Sequence, residues 1–168
     1  QIVVSISNFI GRFWWLVFLL VFGGIFALRQ YYQTEQGRFQ LDRILLKAPV
    51  IGVLLRKIAV ARFCRTLGTL LASGVAILES LDITARTSGN KVIEKAIFQV
   101  RKEVEEGKSL AEPLATTEQF PPMVCQMIGV GEQTGAMDTM LSKVADFYED
   151  EVDTAVAAMM SLLEPIII

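Results

Sequence analysis

Residues 132–164 read EQTGAMDTMLSKVADFYEDEVDTAVAAMMSLLE, and this stretch decides the fold. From Met137 the apolar positions recur as Met137, Leu141, Val144, Tyr148, Val152, Ala155, Met159 and Leu163. Steps of three and four keep them on one face of an α-helix. After Gly135, neither Gly nor Pro interrupts the run until Pro165. The other face carries Asp146, Glu149, Asp150, Glu151 and Asp153. The run starts acidic and ends apolar, in Leu162-Leu163-Glu164-Pro165-Ile166-Ile167-Ile168. A helix of this kind is expected to leave a soluble domain and enter a bilayer, joining the two mechanically.

Working back from it, five further helices are expected. The first runs from about 55 to 73 and is closed by Ser73-Gly74, since Gly adopts the left-handed cap readily. The second covers about 76–88 and ends at Gly89. Asn90 opens the third, with Ile93, Ile97, Val100 and Val104 on its face, and Gly107 closes it. Ser109-Leu110-Ala111-Glu112 reads as a capping box opening a short fourth helix. Phe120-Pro121-Pro122 starts the fifth, Pro being tolerated in a first turn. No segment alternates with period two, so the class is all-α. Loops of two to four residues predict an antiparallel six-helix bundle over residues 56–160. Residues 161–168 would begin a truncated final transmembrane helix.

The other end of the chain is different in character. Residues 13–28 contain no charged side chain and open with Trp14-Trp15. Spanning takes about 20 apolar residues, and snorkelling Arg12 and Arg29 with an aromatic belt at Tyr31-Tyr32 extend the segment. A transmembrane helix is expected over 13–32, preceded by an interfacial, periplasmic-side segment over 1–12 and followed by a basic cytoplasmic linker over 33–55. Arg29, Arg38, Arg43 and Lys47 follow the span, whereas only Arg12 precedes it. The positive-inside rule therefore puts residues 29–160 in the cytoplasm. The chain lacks an initiator Met and reads as an excerpt of a longer protein.

Composition narrows the chemistry. A mean hydropathy of +0.46 is too apolar for an ordinary soluble domain. There is no His, which removes His-based triads, His general bases and every His-containing metal motif. Cys64 and Cys125 are far apart in apolar helical patterns and are expected to be reduced core residues of a cytosolic domain. From Arg29 to Arg65 there are eight basic and two acidic residues, and from Glu103 to Glu164 thirteen acidic and two basic. The basic part reads as membrane-proximal, the acidic part as a solvated or docking face.

Gly129-Val130-Gly131-Glu132-Gln133-Thr134-Gly135 is Gly-rich, but a phosphate loop needs Lys after its last Gly and a strand before its first. Gly131 and Gly135 are instead expected to allow helix contact and to cap the fifth helix. Glu132, beside that turn, either braces it or serves a partner. Arg62, Arg65 and Arg86 are expected to form a solvated or locally paired surface, with Glu79, Asp82 or Glu132 as available partners and lipid headgroups as the alternative. The run Glu149, Asp150, Glu151 with Asp153 lacks the Gly turn and spacing of a calcium loop. Basic residues without interleaved aromatics do not suggest nucleic acid. No nucleophile, base and oxyanion donor come together, so catalysis, cofactors and metals are not expected.

Seven stretches carry a family resemblance. They are Ala61-Arg62-Phe63-Cys64-Arg65-Thr66-Leu67, Ser73-Gly74-Val75, Leu78-Glu79-Ser80-Leu81, Gly107-Lys108-Ser109-Leu110, Phe120-Pro121-Pro122-Met123, Gly131-Glu132-Gln133-Thr134-Gly135 and Leu163-Glu164-Pro165. Together they resemble the second cytoplasmic repeat of the bacterial type II secretion F and type IV pilus platform family, with its preceding span. The run Val144-Ala145-Asp146-Phe147-Tyr148-Glu149-Asp150-Glu151-Val152-Asp153 is closer to the pilus branch. Ala76 departs from the family's frequent Pro. The resemblance implies a multi-pass inner-membrane platform protein at the base of a pilus, acting as a homodimer. Its partners would be hexameric extension and retraction ATPases, pilin subunits, other inner-membrane pilus alignment proteins and membrane lipid. The alternatives are the same role in type II secretion, and a membrane-anchored helical adaptor or signalling domain without a motor.

Overall fold

The computed structural model describes residues 19, 22–24, 29, 34–49 and 51–167. Most of the expected span over 13–32, and all of 1–12, lie outside the described residues; Leu19, residues 22–24 and Arg29 are helical. No helix among the described residues is long and apolar enough to cross a membrane.

The described structure is all-helical. Seven helices with defined bounds follow one another among the described residues: α1 (Glu35–Lys47), α2 (Ile51–Ala72), α3 (Ile77–Thr87), α4 (Lys91–Glu105), α5 (Ala111–Thr116), α6 (Pro122–Thr134) and α7 (Met137–Ile167). The chain divides into two compact units, Gln1–Leu41 and Asp42–Ile168. The second holds the six helices α2 to α7 and the end of α1.

The segment expected as a linker is thus mainly helix. Its polar composition hid α1, and Pro49 with Gly52 suggested a longer turn than exists. Pro49 sits in the turn itself, while Gly52 is already in α2 and donates its N–H to Ala48 O at 3.0 Å. α1 docks through buried Leu46 and through Asp42, a buried carboxylate whose Oδ2 accepts from the Lys91 N–H at 2.7 Å. It thereby satisfies one of the orphan donors at the start of α4. Asn90 takes two more, from Val92 and Ile93.

Helix ends follow the expected signals. The Val75 N–H reaches Leu70 O and the Gly74 N–H reaches Leu71 O, both at 3.0 Å, which closes α2 in a Schellman motif. α3 then starts at Ala76, where φ is −58° and ψ is 142°. That φ is the value a proline ring imposes. Ala76→Pro is therefore expected to stabilise the fold by about 0.4–1 kcal/mol through the unfolded chain. Thermal unfolding should show a rise of a few degrees, and a fall would mean that Val75 cannot adopt the conformation a following proline demands.

From α2 onward consecutive helices pack on one another, and the most extensive contact joins α2 to α7. The core is one cluster in which Phe63, Leu67, Leu81, Ile97, Leu114, Ile128 and Leu141 are fully buried. Each such side chain contributes roughly 1.5–3 kcal/mol of transfer free energy. Phe63 packs at a tilt against Phe120 with ring centroids 4.7 Å apart, which anchors the loop before α6 to the centre of α2.

Cys64 and Cys125 are free and buried. Burial, reinforced by Cys125, pushes the Cys64 thiol up to about 12, and burial raises Cys125 as well. Thiolate is the reactive form. Neither cysteine is expected to react with a thiol reagent at pH 8 until denaturant is added, and both should then titrate. Rapid labelling of the folded chain would show that the core opens.

Candidate functional site

Two local assemblies set where the long helix α7 starts and how it is rotated on the bundle. The first is built on Gly131-Glu132-Gln133-Thr134-Gly135, at the junction of α6 and α7. Gly131 lets the two helices meet: a Cβ there would lie 2.9 Å from Met137 Cα and 3.4 Å from Met140 Cβ. Gly135 ends α6 in the left-handed conformation, φ 70°, and its N–H returns to Gly131 O. The Ala136 N–H shares that carbonyl at 3.1 Å.

Glu132 points the other way, to the start of α5. Its Oε1 accepts from the Leu110 N–H at 2.6 Å and its Oε2 from the Ala111 N–H at 3.2 Å. A carboxylate at a helix N-terminus satisfies orphan donors and meets the positive end of the peptide dipoles. The local capping box is weak by comparison, since the Glu112 N–H reaches Ser109 Oγ only at 3.5 Å. The cap expected from Ser109 is thus supplied mainly from twenty-two residues away. Sequence reading left two uses open for Glu132; in this geometry it braces α5 against α6, with both carboxylate oxygens engaged.

The second assembly clamps α7 to α2. The Arg65 guanidinium donates from Nε to Glu149 Oε1 at 2.9 Å and from Nη2 to Glu149 Oε2 at 2.7 Å, with Asp146 accepting from the same Nη2. Lys57 Nζ donates to Glu151 Oε2 at 2.6 Å. Deeper, Gly68 brings α2 close to α7, with Leu141 Cβ 3.1 Å from where its own Cβ would be. Partners advance along α2 as they recede along α7, so the two helices run antiparallel.

Hydrogen bonds from Arg65 hold the Glu149 carboxyl below its ordinary range, and the carboxylates of Glu149 and Asp146 raise the guanidinium in turn. These groups are solvent-accessible: the Arg65 side chain is 39% exposed and Asp146 65%. Exposed pairs are worth about 0–1 kcal/mol each. Burial of Leu141, Val144, Ala145 and Tyr148 therefore holds α7 on the bundle. The bidentate fork contributes direction, fixing the rotation of α7 about its axis.

The sequence-named residues separate accordingly. Arg65 pairs with Asp146 and Glu149, not with the expected Glu79, Asp82 or Glu132, because α2 faces α7 along its length. Arg86 does pair with Asp82, four residues earlier on α3. Arg62 directs Nη1 to Ser88 O at 3.5 Å, beside the end of α3. Glu79 is exposed in the first turn of α3. Of the acidic run, Glu149 and Glu151 are held in the clamp, whereas Asp150 and Asp153 remain exposed. The backbone of α7 continues helically through Glu164 and Pro165. Lys57 and Asp42 were missed as positioning residues. Lys57 lies eight positions before Arg65, about two helical turns, so a shared face was available as a signal. For Asp42 no local signal existed.

Comparison with known proteins places this architecture. The family described as type II secretion system, protein F, matches residues 63–168. A type IV pilus assembly protein PilC of Myxococcus xanthus is 48% identical over 167 residues, covering 99% of this chain and 40% of that protein. The protein of the same name from Thermus thermophilus is 48% identical over 169 residues, covering 100% and 42%. A type II secretion system protein F of Pseudomonas aeruginosa is 33% identical over 165 residues, covering 98% and 41%. The chain spans about two-fifths of the length of these curated relatives. With an all-helical unit tied together by residues from the quoted motifs, and the family match running from the centre of α2 through α7, the chain belongs to the type II secretion system protein F family.

Proposed function

We propose that this chain is part of an inner-membrane platform protein of type IV pilus assembly, passing movement between hexameric cytoplasmic ATPases and pilin subunits. The observation that carries the reading is the clamp of α7 on α2. α7 is 31 residues long, about 46 Å at helical rise. Its first half is buried on the bundle and held in rotation by Arg65 and Lys57, while its second half extends beyond them as an unbroken helix. Force applied to the bundle therefore reaches the far end of α7 without a joint to absorb it.

In this reading residues 13–32 cross the membrane, 29–160 lie in the cytoplasm, and 161–168 begin a further span. Extension and retraction ATPases dock on the acidic face of α7, where Asp150 and Asp153 are exposed and free of the clamp. The platform works as a homodimer beside inner-membrane alignment proteins and in contact with lipid. It binds no nucleic acid and performs no catalysis of its own. The pilus relatives at 48% identity support this reading over the type II secretion role, for which the Pseudomonas relative at 33% is the parallel.

A flexible Gly-rich insert at Val156 tests the transmission. The bundle should fold as before by circular dichroism and ATP hydrolysis should continue, while surface pili disappear from electron micrographs. Normal piliation would end the mechanical account. Deleting the full-length gene separates the two branches: loss of pili with secretion intact supports the first, and the converse moves the role to secretion.

A further inference from the structure

The corner between α1 and α2 combines two properties that soluble surfaces keep apart. Ile44 is 66% exposed and Val53 56%, with Leu45 and Ile51 also open to solvent. Arg43, Lys47 and Arg56 are exposed among them, and no ion pair engages any of the three among the described residues. Residues 43–56 contain no carboxylate. The turn is tight, with the Ala48 N–H on Leu45 O at 3.2 Å, so the apolar residues of both helices share one corner. Beside it opens a groove of about 390 Å³, floored by Leu46, Val60 and Tyr148 and edged by Lys47 and Arg56.

We infer that this corner is a docking surface for the face of an anionic phospholipid bilayer. The inference rests on the platform reading, in which the preceding segment crosses the membrane. Four exposed aliphatic side chains cost free energy in water and gain it at the acyl boundary. Unpaired cations around them match lipid phosphates, and with no carboxylate in residues 43–56 the segment itself adds no repulsion toward those phosphates. A bilayer supplies both chemistries in one plane, apolar below and anionic above. The corner thus sets the height and tilt of the bundle on the membrane, a constraint independent of the α7 connection.

The test uses the whole chain carrying Val53→Cys labelled with an environment-sensitive fluorophore, since the native cysteines are buried. It is reconstituted into vesicles of phosphatidylcholine alone or with phosphatidylglycerol. In the anionic vesicles emission should shift to the blue and be quenched by brominated acyl chains. A probe at Asp150→Cys should stay water-like. The double variant Lys47→Glu with Arg56→Glu should return the Val53 probe to water-like emission; if it misfolds by circular dichroism, the comparison of the two lipids decides. A water-like Val53 probe in reconstituted chain overturns the inference and leaves the platform reading standing. A blue shift without quenching by brominated lipid overturns it in favour of a protein partner or a second copy. Equal quenching in neutral vesicles overturns the headgroup pairing. Failure of the chain to enter vesicles at all overturns the platform reading and the inference together.

Discussion

Replacing Glu132 by alanine is expected to destabilise the fold by about 2–3 kcal/mol, the range for hydrogen bonds to a charged group together with partly buried donors left unpaired. The carboxylate takes two backbone N–H groups at the start of α5, and Leu110, which donates one of them, is fully buried. Water cannot easily replace it there. α5 spans only Ala111–Thr116 and has little helical stability of its own, because nucleation is unfavourable and propagation short. Its end should fray, loosening Leu114 from the core. Thermal unfolding of the full chain in detergent should show a fall on the order of 5–10 °C. Glu132→Gln keeps one acceptor and should fall between. A Glu132→Ala chain as stable as the parent would return Glu132 to the partner role that its position in the sequence also allowed.

Gly131→Val is expected to cost about 3 kcal/mol, at the upper end of typical overpacking. The added Cβ would meet the Met137 backbone, not the flexible end of a side chain. No rotamer relieves such a contact, so α6 and α7 must separate. Separation disturbs the turn at Gly135 and the direction in which α7 leaves it. Gly129→Ala is the control. Its Cβ would meet only Ala111 Cβ, at an ordinary 3.5 Å, and helix propensity favours alanine by up to about 1 kcal/mol. The two glycines lie two residues apart on one helix and should respond with opposite sign. If both substitutions are neutral, α6 and α7 are not packed as closely as the geometry describes.

Much of the fold was legible because its signals are local. Gly74, Gly107 and Gly135 all take positive φ where a helix was expected to stop. Asn90 caps α4 with its own side chain. The apolar period from Met137 predicted the buried face of α7, and Leu141, Val144 and Tyr148 are buried. α1 was not legible, since a mostly polar helix that buries Leu46 and the Asp42 carboxylate has no strong apolar period. The capping box at Ser109 was a true local signal with a weaker outcome, because a stronger acceptor arrives from α6.

The sequence by itself determined the helical class, the ends of most helices and the family, since periodicity, capping and motif residues are properties of neighbours along the chain. Only the tertiary structure decided what the charges do. Arg65 finds Glu149 across eighty-four positions, and Glu132 finds Leu110 across twenty-two. The physical reason is that a charged side chain takes whichever opposite partner packing brings within hydrogen-bond reach. That proximity follows from how α2, α6 and α7 bury their apolar faces, not from spacing in the chain.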